Sequence, residues 1–352
     1  MKKIALVTAI ALAATAGAHA EVTVYGKAFL GLDYVSNDGS ITEEDAVQLV
    51  SNASRIGLKG SEQITDDIEA FYKAEYEAFF DTGSNRGGDE FSARNIYAGL
   101  KHKELGSLLF GRNDTLLKDV GADADLFNDL NAGNLDDKRT FAGEERASNL
   151  IQYNAPSSLP VNAAFGVSLD GATESEADGA DGEVGIHGLL GYEYEGLGLN
   201  VAYAGNFEAE FNGAGALIDA LGIDASDSLI ADVLRFVATY QYAGVELSGL
   251  YQFANPDDDS VIDSENAFLI SGMYPIADTK YSVGAQYQYS TTEFNTAGLD
   301  DVDIAQYGVI GEYKFTKAAK ALAYLANRNT DLGNGIEDQD RLVAGTSFEL
   351  KF

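Results

Sequence analysis

The sequence predicts an all-β fold: a transmembrane antiparallel up-and-down β-barrel of about sixteen strands. Three observations point there: apolar and polar residues alternate along most of the chain, long and short connections alternate between those segments, and the last residue, Phe352, closes an alternating segment. At 161–169, Val161, Ala163, Phe165, Val167 and Leu169 interleave with Asn162, Ala164, Gly166 and Ser168. At 281–290, Tyr281, Val283, Ala285, Tyr287 and Tyr289 interleave with Ser282, Gly284, Gln286, Gln288 and Ser290. The same period recurs at 22–34, 68–80, 184–194, 234–242, 245–253 and 342–352. Successive side chains on a strand point to opposite faces, so one face of each segment avoids water and the other seeks it. Alternation is poor at 91–100 and 320–328, and 214–221 reads as a short helix inside a connection.

A soluble sandwich would alternate in the same way with its apolar face inward. The connections argue for the barrel. Long, acidic, Gly/Asn/Asp-rich stretches fall near 36–53, 81–90, 117–145, 170–183, 205–232, 254–265, 290–303 and 328–339. Short ones fall between them, near 61–67, 101–107, 154–160, 195–196, 243–244, 275–279 and 315–319. Fifteen connections join sixteen strands, and an even number puts both termini at the short-turn rim. A transmembrane meander has this rhythm, with short periplasmic turns and long extracellular loops. Strands of roughly 9–11 residues suit a tilted bilayer crossing, and a barrel this wide encloses water.

Composition narrows the function. Against 56 Asp plus Glu stand 23 Lys plus Arg, for a net charge of −33, which opposes binding to a nucleic-acid phosphate backbone. With no cysteine there is no disulfide, thiolate nucleophile or Cys-ligated metal. Residues 1–20 read as a cleaved signal peptide: Lys2 and Lys3 precede an apolar run, and Ala18-His19-Ala20 fits the cleavage rule. Loss of the two lysines takes the net charge from −33 to −35. Residues 21–352 form one barrel domain, with no linker and no helical membrane span.

An enzyme is not expected, and neither is a cofactor or a metal. The mature chain has only His102, in the turn KHKELG, and His187, which has lumen parity but no Ser–Asp partner pattern. The acidic runs 257–259 and 178–181 lack EF-hand spacing and read as solvated loops. The terminal strand carries Phe348, Leu350 and Phe352 on one face, an edge that needs a partner. Closure onto the strand from Val22 supplies one.

Several segments resemble the Gram-negative general porin family: EVTVYGKAFLGLDY after the leader, SRIGLKGSEQI from Ser54, ARNIYAGLKHKELGSLLFGR from Ala93, ERASNLIQYNAP from Glu145, and the terminal Phe. The likeness spans essentially all of 21–352. It implies a sixteen-stranded barrel in outer-membrane lipid and lipopolysaccharide, usually a homotrimer, passing small hydrophilic solutes and ions by passive diffusion. It also implies that Phe348, Leu350 and Phe352 form a signal read by the barrel assembly machinery.

The resemblance further implies that the third long loop folds into the lumen, its acids facing basic residues on the wall. The loop acids are Asp119, Asp123, Asp125, Asp129, Asp136 and Asp137, and the wall bases are Lys27, Arg55, Arg94 and Arg146. Parity supports lumen positions for Lys27, Arg55 and Arg146. Arg94 shares phase with Ile96, so its place rests on the resemblance alone. Each base could instead simply pair with a neighbouring carboxylate. A charge on the lipid face would cost roughly 2–4 kcal/mol at mid-membrane, and opposed rows of charge within ~8 Å would set up a transverse field. The acidic balance predicts moderate cation selectivity. Alternatives are a solute-specific channel, or a surface adhesin or structural barrel with a plugged lumen.

Overall fold

The computed structural model describes residues 21–352 except 40–43, 86, 131–134, 170–183, 222–227 and 258–260. The leader reading at 1–20 therefore lies outside the described residues, as do 178–181 and most of the 257–259 run. In chain order the strands are β1 (Glu21–Gly39), β2 (Ala46–Ser51), β3 (Arg55–Gln63), β4 (Ile68–Ala78), β5 (Phe91–His102), β6 (Gly106–Asp114), β7 (Arg146–Asn154) and β8 (Asn162–Ser168). They continue as β9 (Gly185–Tyr194), β10 (Leu197–Glu210), β11 (Ser228–Tyr242), β12 (Val245–Pro256), β13 (Ile262–Pro275), β14 (Tyr281–Phe294), β15 (Val302–Lys314), β16 (Ala319–Asp331) and β17 (Gln339–Lys351). Helix α1 (Leu116–Gly121) lies between β6 and β7, and α2 (Asn212–Leu221) between β10 and β11.

Among the described residues all seventeen strands join one antiparallel sheet that closes on itself. Both β2 and β3 pair with β1, from Val35↔Ala46 to Leu30↔Ser51 and from Lys27↔Arg55 to Glu21↔Ser61. They are two halves of one crossing, which makes sixteen. The break is bridged by Ser54, whose Oγ accepts from the Phe29 N–H at 2.9 Å and donates to the Phe29 carbonyl at 3.1 Å, while Ala53 takes a positive φ of 44°. Ser54→Ala is expected to strand the buried Phe29 N–H, at a cost of about 1–3 kcal/mol. Denaturant unfolding in detergent micelles checks this; an unchanged midpoint would show the hydroxyl to be dispensable.

Closure uses the terminal strand. β1 pairs with β17 from Lys27↔Lys351 to Gly39↔Gln339, and Gly26 and Phe352 exchange backbone hydrogen bonds of 2.9 and 3.0 Å. The apolar face points outward: Leu32, Tyr34, Leu49, Tyr281, Val283 and Tyr307 are exposed, whereas Ser282, Gln286, Gln288 and Ser290 are buried. Every backbone group inside a bilayer needs a partner, and a closed sheet supplies them all. Beside the short connections, aromatic side chains form a belt that includes Tyr240–Tyr242, Tyr281–Tyr313, Tyr313–Phe315 and Phe315–Phe348. Amphipathic rings favour that depth, where bilayer meets water. No described helix is long and apolar enough to cross a membrane.

The segments that alternated poorly have physical explanations. At β4–β5 the register slips between Ala74 and Tyr76, a bulge that puts Arg94 and Asn95 together opposite Glu75. In β16 the inward residues Leu322, Tyr324 and Ala326 are themselves apolar and pack against Phe127, Leu130 and Leu135. The connection expected at 205–232 is shorter than predicted, because β10 continues to Glu210 and β11 begins at Ser228. A bulge between Ala204 and Phe207, with Asn206 at φ 58°, shifts the alternation there and hid the strand's second half. The helix expected at 214–221 is α2.

Candidate pore constriction

The described residues of 115–145, between β6 and β7, are tied to inward side chains of β9 and β11–β15. Thr115 caps α1 by accepting from the Lys118 N–H at 3.2 Å. The Leu116 N–H donates to His187 Nδ1 of β9 at 3.3 Å, so this buried imidazole positions backbone. From β11, the fully buried Arg235 donates to the Leu117 carbonyl at 3.1 Å and forms an ion pair with Glu144. Gln252 of β12 accepts from Arg235 at 2.8 Å and donates to the Ala142 carbonyl at 2.8 Å, and Glu265 of β13 accepts from the Ala142 N–H at 2.8 Å. Farther round, Gln286 of β14 accepts from the Leu126 N–H at 2.7 Å and Gln306 of β15 donates to the Leu135 carbonyl at 2.6 Å. Two apolar clusters fill the gaps, one around Leu117, Phe141, Val233 and Leu269, the other around Phe127, Leu130, Phe29 and Val343.

The opposite stretch of wall, β1 and β3–β7, is where the charges meet. Lys27 Nζ lies 2.5 Å from Asp129 and 3.8 Å from Glu349, and Arg55 lies 3.2 Å from the same Asp129 oxygen. Arg94, turned inward by the β4–β5 bulge, pairs with Glu75 at 3.2 Å and Glu77 at 3.4 Å. Arg146 pairs with Asp114 at 2.9 Å. Parity counted back from Ile151 does not reach Arg146, because β6–β7 slips between Gly111 and Asn113; the residue arrives through its ion pair at the strand's end. All four bases thus have carboxylate partners within ion-pair distance.

A cavity of ≈ 360 Å³ collects Arg55, Arg94 and Arg146 with Asp119, Asp129 and Asp136, and adds Glu77, Asp114 and Lys118. The other expected acids lie elsewhere. Asp125 is buried, accepting from Gln286 at 2.7 Å and from the Phe127 N–H at 2.8 Å. Asp123 borders a separate cavity with Glu193, Glu246 and Ser248. The Asp137 side chain lies outside what is described. Among the described residues no group of His, Cys, Asp and Glu is placed to hold a metal.

Two loop acids differ in character. Burial opposes ionisation of Asp129, but the charges of Lys27 and Arg55 outweigh it and hold its pKa at about 2. The stabilisation from this ion pair is present above the unfolded carboxylate value near ~3.9 and fades as pH falls through about 2. Asp119 is pushed the other way, first by enclosure within protein and then by the neighbouring Asp114 carboxylate. Its side chain is nevertheless exposed, and water contact tempers that rise.

Glu75, Glu77, Asp114 and Arg235 were not among the expected site residues. For three of them the signal was in the sequence: Glu75 and Glu77 oppose the phase of Tyr76, and Arg235 interrupts an apolar run in phase with Val233 and Val237. A lone charge among apolar residues of a membrane strand has to face inward.

Comparison with known proteins gives one answer. The family description of Gram-negative porins matches residues 7–333. Outer membrane porin F of Escherichia coli (strain K12) is 24% identical over 94% of this chain and 91% of its own length. Outer membrane porin C of Serratia marcescens is 29% identical over 71% of this chain and 72% of its own length, and the match to OmpD of Citrobacter koseri, also 29%, spans 51% and 54%. Among solved structures, an anion-selective porin from Comamonas acidovorans aligns with TM-score 0.72 at 20% identity, covering 95% of this chain and all of that one. Salmonella typhi OmpF aligns with TM-score 0.64 at 19% identity, over 94% and 97%.

Proposed function

This chain belongs to the Gram-negative porin family and makes a diffusion channel for small solutes in the outer membrane, and from that premise we propose a moderately cation-selective general pore. In this reading the 115–145 connection is a loop folded into the lumen. It leaves the β1 and β3–β7 side as the open path, narrowed at Lys27, Arg55 and Asp129. The observation that carries the reading is the contact of Asp129 with both wall bases, residues far apart in sequence. Short connections face the periplasm and long ones the exterior. The leader 1–20 is removed, three copies assemble within lipid and lipopolysaccharide, and Phe348, Leu350 and Phe352 are read by the barrel assembly machinery.

Cation preference follows from the charge left over after pairing. At the constriction, Lys27, Arg55, Arg94 and Arg146 are matched by carboxylates, whereas Asp119 makes no ion pair with a described residue. A net negative constriction admits cations more readily. Reversal potential in a salt gradient across a planar bilayer tests this, and anion preference of the kind named for the Comamonas protein would refute it.

pH offers a second check. Because the pKa of Asp119 is raised, it gains its proton on mild acidification while Asp129, held at about 2, stays charged. Cation preference is expected to weaken on going from pH 8 to pH 5, and Asp119→Asn to remove that dependence. A flat profile in the parent protein would exclude Asp119 as its source.

A narrower reading draws support from the apolar clusters beneath the loop, which occupy much of the β10–β17 side. It takes the pore as solute-specific and predicts saturable flux, where a general pore gives flux linear in concentration.

A further inference from the structure

We propose that the lumen wall between the constriction and the short-connection rim carries a phosphate-binding station centred on Lys59 and Lys73. The inference rests on the reading of the barrel as an open pore. Register sets four residues in a row across adjoining strands: Thr23 of β1 stands opposite Lys59 of β3, Lys59 opposite Lys73 of β4, and Lys73 opposite Tyr97 of β5. All are in phase with the buried inward residues Lys27, Gly57, Glu75 and Gly99. Together with Ser61 they line a cavity of ≈ 380 Å³, apart from the one at the constriction.

Two lysines directly opposite one another repel, and such a pair weakens a sheet. The nearby carboxylate does not cancel it. Glu75 lies 3.4 Å from Lys73 but also accepts from Tyr25 at 2.9 Å and from Arg94 at 3.2 Å. Lys59 sits over the Tyr25 ring, 5.2 Å from its centroid, and has no carboxylate partner among the described residues. Glu69, also inward in phase, stands opposite Lys101 and away from the pair. An ammonium with no carboxylate partner among the described residues therefore shares a cavity with a second, half-engaged one and with the hydroxyls of Thr23, Ser61 and Tyr97.

This complement of groups selects the ligand. Two ammonium groups match a dianion, and three hydroxyl donors match an oxyanion with several acceptor oxygens. A phosphate group carries about −1.5 to −2 charge at pH 7 and three strong acceptor oxygens; a carboxylate offers one charge and two oxygens. The edge-to-face pair Phe71–Tyr97, centroids 6.2 Å apart, gives the cavity an apolar side for whatever the phosphate is attached to. The station would hold a phosphate group, free or carried by a small solute, as it leaves the constriction.

The test is single-channel recording in potassium chloride at fixed ionic strength, with inorganic phosphate or glycerol phosphate added to one chamber. Concentration-dependent current reduction is expected, at lower concentration from the short-connection side. In K59Q/K73Q it should need at least fivefold more phosphate while conductance steps in chloride persist, and K59R/K73R should retain it. Either the ester or inorganic phosphate blocking at lower concentration supports the station, and the order says which source it suits. No block beyond that of chloride, or equal block in K59Q/K73Q, overturns the station while leaving the pore intact. No conductance at all in the parent protein would defeat the pore reading and the station with it.

Discussion

Asp129→Asn is expected to move the channel's ion preference toward anions by roughly tenfold in permeability ratio, about 1.4 kcal/mol. Among the described residues Asp129 is the carboxylate that touches both Lys27 and Arg55, so its neutralisation removes a negative charge, frees Arg55 and leaves Lys27 only its longer 3.8 Å contact with Glu349. At effective dielectric values between those of surface and bulk water, a charge about 4 Å away is worth roughly 1–4 kcal/mol. The expected shift sits at the lower end because ions pass through water. Lys27→Gln in the Asp129→Asn background should restore part of the cation preference. Reversal potentials for the parent and both variants measure it, and an unchanged ratio in Asp129→Asn would place the constriction away from this cluster.

The second large effect concerns how the loop is held. Arg235 is fully buried, and Glu144 is its only carboxylate partner in the ion pairs of the described residues. Glu144→Ala is expected to destabilise the barrel by about 3–5 kcal/mol, because it leaves a guanidinium buried without its counter-charge. Gln252 and the Leu117 carbonyl would still accept from it, but neutral acceptors cannot replace a carboxylate. Arg235→Met together with Glu144→Leu removes both charges and is expected to recover most of the loss. Unfolding midpoints in denaturant, read alongside conductance noise, separate a weakened barrel from a loosened loop. A Glu144→Ala barrel as stable as the parent, with quiet channels, would mean that Arg235 does not hold the loop.

His187 shows how the same residue reads differently at the two levels. In sequence it was a lumen-facing imidazole without catalytic partners; in the fold it stacks on Phe207 at 5.6 Å and accepts from the Leu116 N–H. Its neighbour across the sheet is Gly166, where a Cβ would overlap the imidazole ring. The glycine gives the histidine its space, a relation between β8 and β9 that no local pattern reveals.

What the sequence determined by itself is whatever depends on a period of two or on the chemistry of a chain end. Alternation separated the lipid face from the wet face, the rhythm of connections counted the crossings, and the terminal aromatic marked the closing strand. These are local consequences of backbone geometry, so they survive without knowledge of neighbours. Parity also turned Lys27 and Arg55 inward. Only the tertiary structure decided what happens where one residue is added to a strand. The bulge opposite Glu75 turned Arg94 inward against its apparent phase, another between β6 and β7 undid the parity argument for Arg146, and a third concealed half of β10. Only the closed ring, likewise, chose Asp129 over Asp125 as the partner of the wall bases. Which acid of a long connection meets a given strand depends on every tether between them, from His187 to Gln306, and those side chains come together only when the sheet has closed.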